Sequence, residues 1–174
     1  MDAVLEILKI ILPATAVFVA VYFVVKSFLT NEQKRREFEL RKETQNTILP
    51  LKIQAHERLV IFLERIHPSS IVVRVNKKNM TVYQLQMELI RAIKTEYEHN
   101  LSQQIHVSSG AWQMVKNAKE ELLKIINVSA SKLSPEAPSS ELAMAVLNVA
   151  AGLDKKFPSE IALEYIKKEI SRHF

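Results

Sequence analysis

The chain has 174 residues, a net charge of +5 and no cysteine, so its length holds one apolar anchor and one modest domain, and thiol chemistry and disulfide frameworks are excluded. Two glycines leave few positions for the tight turns of a multi-stranded sheet, and the abundance of Leu, Ile, Lys, Glu and Ala points to an all-α fold. Basic residues are spread along the sequence: Arg74, Lys77 and Lys78 form the one tight cluster beyond the N-terminal third, which argues against nucleic-acid binding.

Sixteen uncharged residues run from Ile10 to Val25, roughly 24 Å of helix, and Ile7–Leu29 covers roughly 35 Å if Lys9 and Lys26 snorkel to the interfaces. The longer stretch is enough to span a bilayer. Asp2 and Glu6 stand where a signal peptide would be basic, and bulky Tyr22, Phe23 and Phe28 stand where it would be small, so residues 1–29 are expected to remain as an anchor. Pro13 is expected to cause at most a local kink, with Thr15 or nearby carbonyl adjustments absorbing the lost donor. Behind the apolar run lie Lys26, Lys34, Arg35, Arg36, Arg41 and Lys42, against Lys9 in front. The positive-inside rule then predicts an outside N-terminus and a cytoplasmic C-terminal domain at the inner membrane. The same basic residues would meet anionic lipid, diluted by Glu32, Glu37, Glu39 and Glu43.

Residues 30–50 predict a solvated helical stalk with opposite charges four apart at Glu32/Arg36, Arg35/Glu39 and Glu37/Arg41. Phe38 and Leu40 give no coiled-coil seam. Pro50 disfavours helical geometry at Leu49 and predicts a kink or break. A bundle core over 51–128 follows. Its first helix, Leu51–Ile66, turns Ala55, Leu59, Phe62, Leu63 and Ile66 inward and stops before Pro68. Ile71–Val75 is open between a short extended piece and a helical turn. Thr81 and Gln84 predict a capping box for a helix reaching Gln104, with Val82, Leu85, Leu89 and Ile93 inward. Ser108 or Ser109 caps the next, Ala111–Asn127, with Trp112, Val115, Leu122 and Ile126 facing the core. Residues 129–139 mix Ser, Ala and two prolines and predict a linker to a C-terminal helical pair over 140–174, Ser140–Leu153 and Pro158–Arg172. The Ala143–Leu153 stretch is apolar around most of its circumference and suits either a buried bundle helix or a docking surface for a partner or second copy.

The string LPLKIQAHERLVIFLERI at Leu49–Ile66, EYEHNLSQQI at Glu96–Ile105, and the Ser-Ser-Gly-Ala-Trp that begins at Ser108 resemble an uncharacterised family of single-pass helical membrane proteins from Bacteroidota. The resemblance covers the chain from the anchor to about Asn127 and implies a bacterial inner-membrane location. It brings no activity and no functional residue.

Two Glu-x-x-His pairs, Glu64/His67 and Glu96/His99, have the spacing used in di-iron bundles, but Glu64 lies off its helix's apolar face and two further glutamates would be needed. His56-Glu57 matches the start of a zinc-protease motif that fails at Val60. Nucleophile elbows and phosphate loops are absent, so no cofactor and no metal are expected, and the expected role is a non-enzymatic anchor or scaffold bound to lipid and to a partner protein or a second copy. The alternative is a metal-binding bundle or enzyme built on Glu96 and His99. On the Val82–Gln104 helix the inward face turns polar at Glu96, Asn100, Gln103 and Gln104, and buried polar groups need partners. If this helix returns antiparallel beside Leu51–Ile66, Ile66 meets Val82, and Lys52 and His56 come level with Glu96 and Asn100. That register predicts a polar layer or partner groove of Lys52, His56, Glu96, Asn100, Gln103 and Gln104.

Overall fold

A computed structural model describes residues 2–152 and 156–171, with the side chains of 2–10 and 12–14 outside the description. The side chains of Lys9 and Pro13 are thus not described, and the helix ends expected at Leu153 and Arg172 lie outside the described residues. Among the described residues the chain is helical with no strand: α1 (Asp2–Ile66), α2 (Pro68–Val75), α3 (Val82–His99), a 3₁₀ turn (Leu101–Ile105), α4 (Ser109–Ala130), α5 (Ser139–Ala151) and α6 (Pro158–Ile170). These divide into two units, Met1–Leu49 and Pro50–Phe174.

In the first unit the helix carries its apolar residues outward. Val17, Phe18, Phe23, Val24 and Phe28 are 62 %, 74 %, 62 %, 68 % and 67 % exposed, and this is the one described helix long and apolar enough to cross a membrane. Beyond it, Arg36 pairs with Glu32 at 3.2 Å and Arg35 with Glu39 at 3.0 Å, as the four-residue spacing predicts. The break predicted at Pro50 does not occur, and helical geometry continues through it. Asn46, whose carbonyl loses its donor to the proline ring, and Pro50 are both exposed, so water can take that carbonyl and the penalty of an interior proline is reduced.

In the second unit the predicted stripes are the core. Ala55, Leu59, Phe62, Leu63 and Ile66 of α1 are buried, as are Val82, Leu85, Leu89 and Ile93 of α3 and Val115, Leu122 and Ile126 of α4. Trp112 is only half-buried and stacks on Tyr97, ring centres 5.4 Å apart. α2 resolves the open segment as helix, with Ile71 and Val72 inward. α4 packs on α6, α3 and α5.

The Ser/Pro segment 129–139 is not a loose linker. α3 begins with four amides that have no intrahelical partner. Val82 N–H donates to Ala137 O at 2.9 Å and Tyr83 N–H to Pro135 O at 3.1 Å. Gln84 N–H donates to Thr81 Oγ and Leu85 N–H to Thr81 O, while Thr81 N–H donates to the Gln84 side chain to complete the capping box. Ser139 N–H donates back to Met80 O at 2.9 Å, and its hydroxyl donates to Asn76 Oδ1 at 2.7 Å. The segment is a second cap for α3. α5 and α6 accordingly belong to the same core, through Leu142, Val146, Ala162 and Ile166.

Candidate functional site

The six residues of the expected polar layer do not come together: Asn100 bonds to Glu96, His56 to the Lys52 carbonyl, and Gln103 and Gln104 join neither pair through their side chains. α3 ends at His99, earlier than the predicted Gln104, and Asn100 closes it, its side-chain amide donating to Glu96 O at 2.8 Å. Glu96 takes Arg65 at 2.6 Å and Arg74 at 3.1 Å, and Phe62 lies 6.0 Å from the Tyr97 ring. The last turn of α1 therefore meets the last turn of α3. Val82 lies roughly 21 Å away along α3, so the predicted level of Ile66 with Val82 is overturned, and with it the pairing of Lys52 or His56 with Glu96, Asn100 or Gln103. Gln103 is buried in the 3₁₀ turn and donates to Ser102 Oγ at 3.1 Å, while Gln104 is exposed.

His56 instead reaches α6. It is 3 % exposed; its Nδ1 lies 2.7 Å from Lys52 O and its Nε2 3.1 Å from Glu169 Oε1. Both partners are acceptors, so both bonds form together only when each ring nitrogen carries a proton. Lys52 contributes its carbonyl here. Glu169 also accepts the Ser108 amide at 2.9 Å on Oε1 and the Ser108 hydroxyl on Oε2, and that hydroxyl in turn caps α4 by accepting Ala111 N–H at 3.1 Å. Burial pushes the Glu169 carboxyl up, but hydrogen bonds from the Ser108 hydroxyl and amide and from His56, with the charge of His56, outweigh it and hold the carboxyl below its ordinary value.

Histidine, serine and glutamate thus meet, but in an order unlike a nucleophilic triad. There the histidine stands between the hydroxyl and the carboxylate and takes the proton from the hydroxyl; here the carboxylate stands between Ser108 and His56. The cluster ties α1, the start of α4 and the end of α6 together. Only Ser108 was legible as a cap, because no local pattern marks Glu169 as its partner.

Around Tyr97 a further group forms: Trp112 stacks on one side, and Lys119 Nζ lies 4.1 Å from the ring centre with its side chain 13 % exposed. Of the Glu-x-x-His pairs, Glu96 is taken by two arginines and His99 is exposed, and no group of three or more His, Cys, Asp or Glu side chains suited to a metal forms among the described residues. In the first unit Lys26 Nζ lies 5.9 Å from the Tyr22 ring, and Lys34, Arg35 and Arg36 are exposed along the same helix.

A family model described as a family of unknown function, DUF7935, matches residues 2–173. The chain belongs to that family. No curated protein and no solved structure matches it. The match covers both units of the DUF7935 chain, the long apolar helix as well as the helices of the second unit.

Proposed function

We propose that this protein is a non-enzymatic, single-pass anchor of a bacterial inner membrane, whose helical domain holds a partner protein on the cytoplasmic side. One observation carries the reading: on the segment up to Leu29 bulky apolar side chains point outward, Phe18 at 74 % exposed and Phe28 at 67 %. Apolar surface left in water costs about 25 cal/mol per Å², and lipid removes that cost along the whole circumference. Lys26, Lys34, Arg35 and Arg36 follow the apolar run and favour retention of that side in the cytoplasm. The second unit buries its own stripes, which suits a domain that works in water beside the membrane.

The topology is tested by fusing a reporter active only outside the inner membrane to Phe174. It should stay silent, while the same reporter at the N-terminus should be active; strong activity at Phe174 sinks the reading. Carbonate washing of membranes tests the anchor: the chain should stay in the pellet, and a version lacking residues 1–29 should leave it.

A further inference from the structure

We propose that His56 is a proton-operated latch: its doubly protonated ring joins the last turn of α6 to α1 and to the start of α4, and loss of one proton releases that turn. The latch lies wholly within the unit Pro50–Phe174 and does not depend on the anchor reading.

The proton positions follow from the partners. Nδ1 lies 2.7 Å from Lys52 O, and a carbonyl only accepts, so Nδ1 carries a proton. The same carbonyl has a second lone pair for the helix's own bond from the His56 amide. Nε2 lies 3.1 Å from Glu169 Oε1, and one proton must sit between them. The Ser108 amide donates to that same oxygen at 2.9 Å and the Ser108 hydroxyl donates to Oε2, which favours the ionised carboxylate and leaves the proton on the ring. Without that proton a nitrogen lone pair and a carboxylate oxygen face each other where water hardly reaches, since His56 is buried.

Glu169 is the one charged side chain bonded to His56 among the described residues. From the start of α4 the ring's neighbour on Glu169 is Ser108, which is neutral, and on α1 Lys52 offers its carbonyl. Lys167 and Lys168 of α6, Lys116 of α4, and Glu57 and Arg58 beside His56 on α1 are exposed. His106, half-buried two residues before Ser108, is controlled separately below. An imidazole in an unfolded chain gives up its second proton at about pH 6.5, while the folded joint keeps it. Above that pH the folded state therefore binds more protons than the unfolded one, and stability falls as pH rises.

The test uses the full chain in detergent with nitrogen-15-labelled histidine, the His56 signals being identified by replacing each of the other histidines with glutamine in turn. At pH 7.5 both His56 ring nitrogens should show the shifts of protonated nitrogen. In Glu169→Gln one of them should become a bare nitrogen, because a glutamine amide can donate to a neutral ring. Between pH 6.5 and 8.5 the unfolding constant from urea curves should rise about tenfold in the wild type and in His106→Gln, and much less in Glu169→Gln. Over that range the amide signals of Ser108 and Glu169 should shift while those of Leu85 and Leu89 on α3 hold. A neutral His56 ring in the wild type at pH 7.5, which is read whether or not the glutamine variant folds, or an equal alkaline rise in Glu169→Gln, would overturn the proposal.

Discussion

Glu169 answers to three partners at once: the His56 ring, the Ser108 amide and the Ser108 hydroxyl. Its side chain is 14 % exposed, so the bonds are little weakened by water, and Glu169→Gln should destabilise the domain by about 2 kcal/mol at neutral pH, the worth of a hydrogen bond to a charged group. The sign of the pH dependence follows from the lowered carboxyl. Folded Glu169 ionises at lower pH than unfolded Glu169, so its contribution is complete above the unfolded value and is lost as pH falls through the folded one. Urea midpoints measured from pH 7 down to 3 should therefore fall more steeply for the wild type than for Glu169→Gln. Parallel acid limbs would mean that the carboxylate is not stabilised by these partners.

At the scale of elements, the joint between α4 and α6 turns on Gly110. A Cβ built there runs into the Tyr165 hydroxyl, so Gly110→Ala should cost about 1 to 3 kcal/mol as overpacking, nearer the lower end because Tyr165 is 40 % exposed and can swing outward. Tyr165→Ala should remove the penalty and leave alanine's helix preference as a gain of up to about 1 kcal/mol. Denaturant unfolding of the two single variants and the double variant measures this directly.

The helices themselves were legible wherever one face repeats, as at Leu85, Leu89 and Ile93, and wherever a cap is local, as at Thr81 with Gln84 and at Ser108. What was not legible is non-local. Pro50 reads as a kink or break, and helical geometry continues through it in an exposed setting. Residues 129–139 read as a linker because Ser, Ala and Pro carry no periodicity, yet their carbonyls at Pro135 and Ala137 complete the start of α3. The polar layer failed because it assumed a simple antiparallel return, whereas Arg65 on Glu96 brings two C-terminal turns together; the histidine at one end of that expectation found α6, far along the chain. A consequence follows for the Ser/Pro segment: trypsin should cut after Lys132, exposed though it is, no faster than the domain opens globally. Cleavage there within seconds under native conditions would show a free strap.

At the scale of the whole molecule, the buried apolar residues among those described run from Ala55 to Ile166 and lie in the unit Pro50–Phe174. The described side chains of the other unit from Thr15 onward are exposed or at most half-buried. Residues 50–174 should therefore fold without the apolar helix, since a domain needs its own core and not its tether. The one helix that the cut shortens is α1, and its remaining turns carry Leu59, Phe62, Leu63 and Ile66, which packing within the unit holds in place where propensity alone would not. The fragment should be soluble in the absence of detergent, strongly helical by circular dichroism, and unfold in one cooperative transition with a urea m-value of about 1 to 3 kcal/mol/M. A shallow, non-cooperative melt, or aggregation at every concentration tested, would mean that residues before Pro50 help to build the bundle, and that the two units are one folding body.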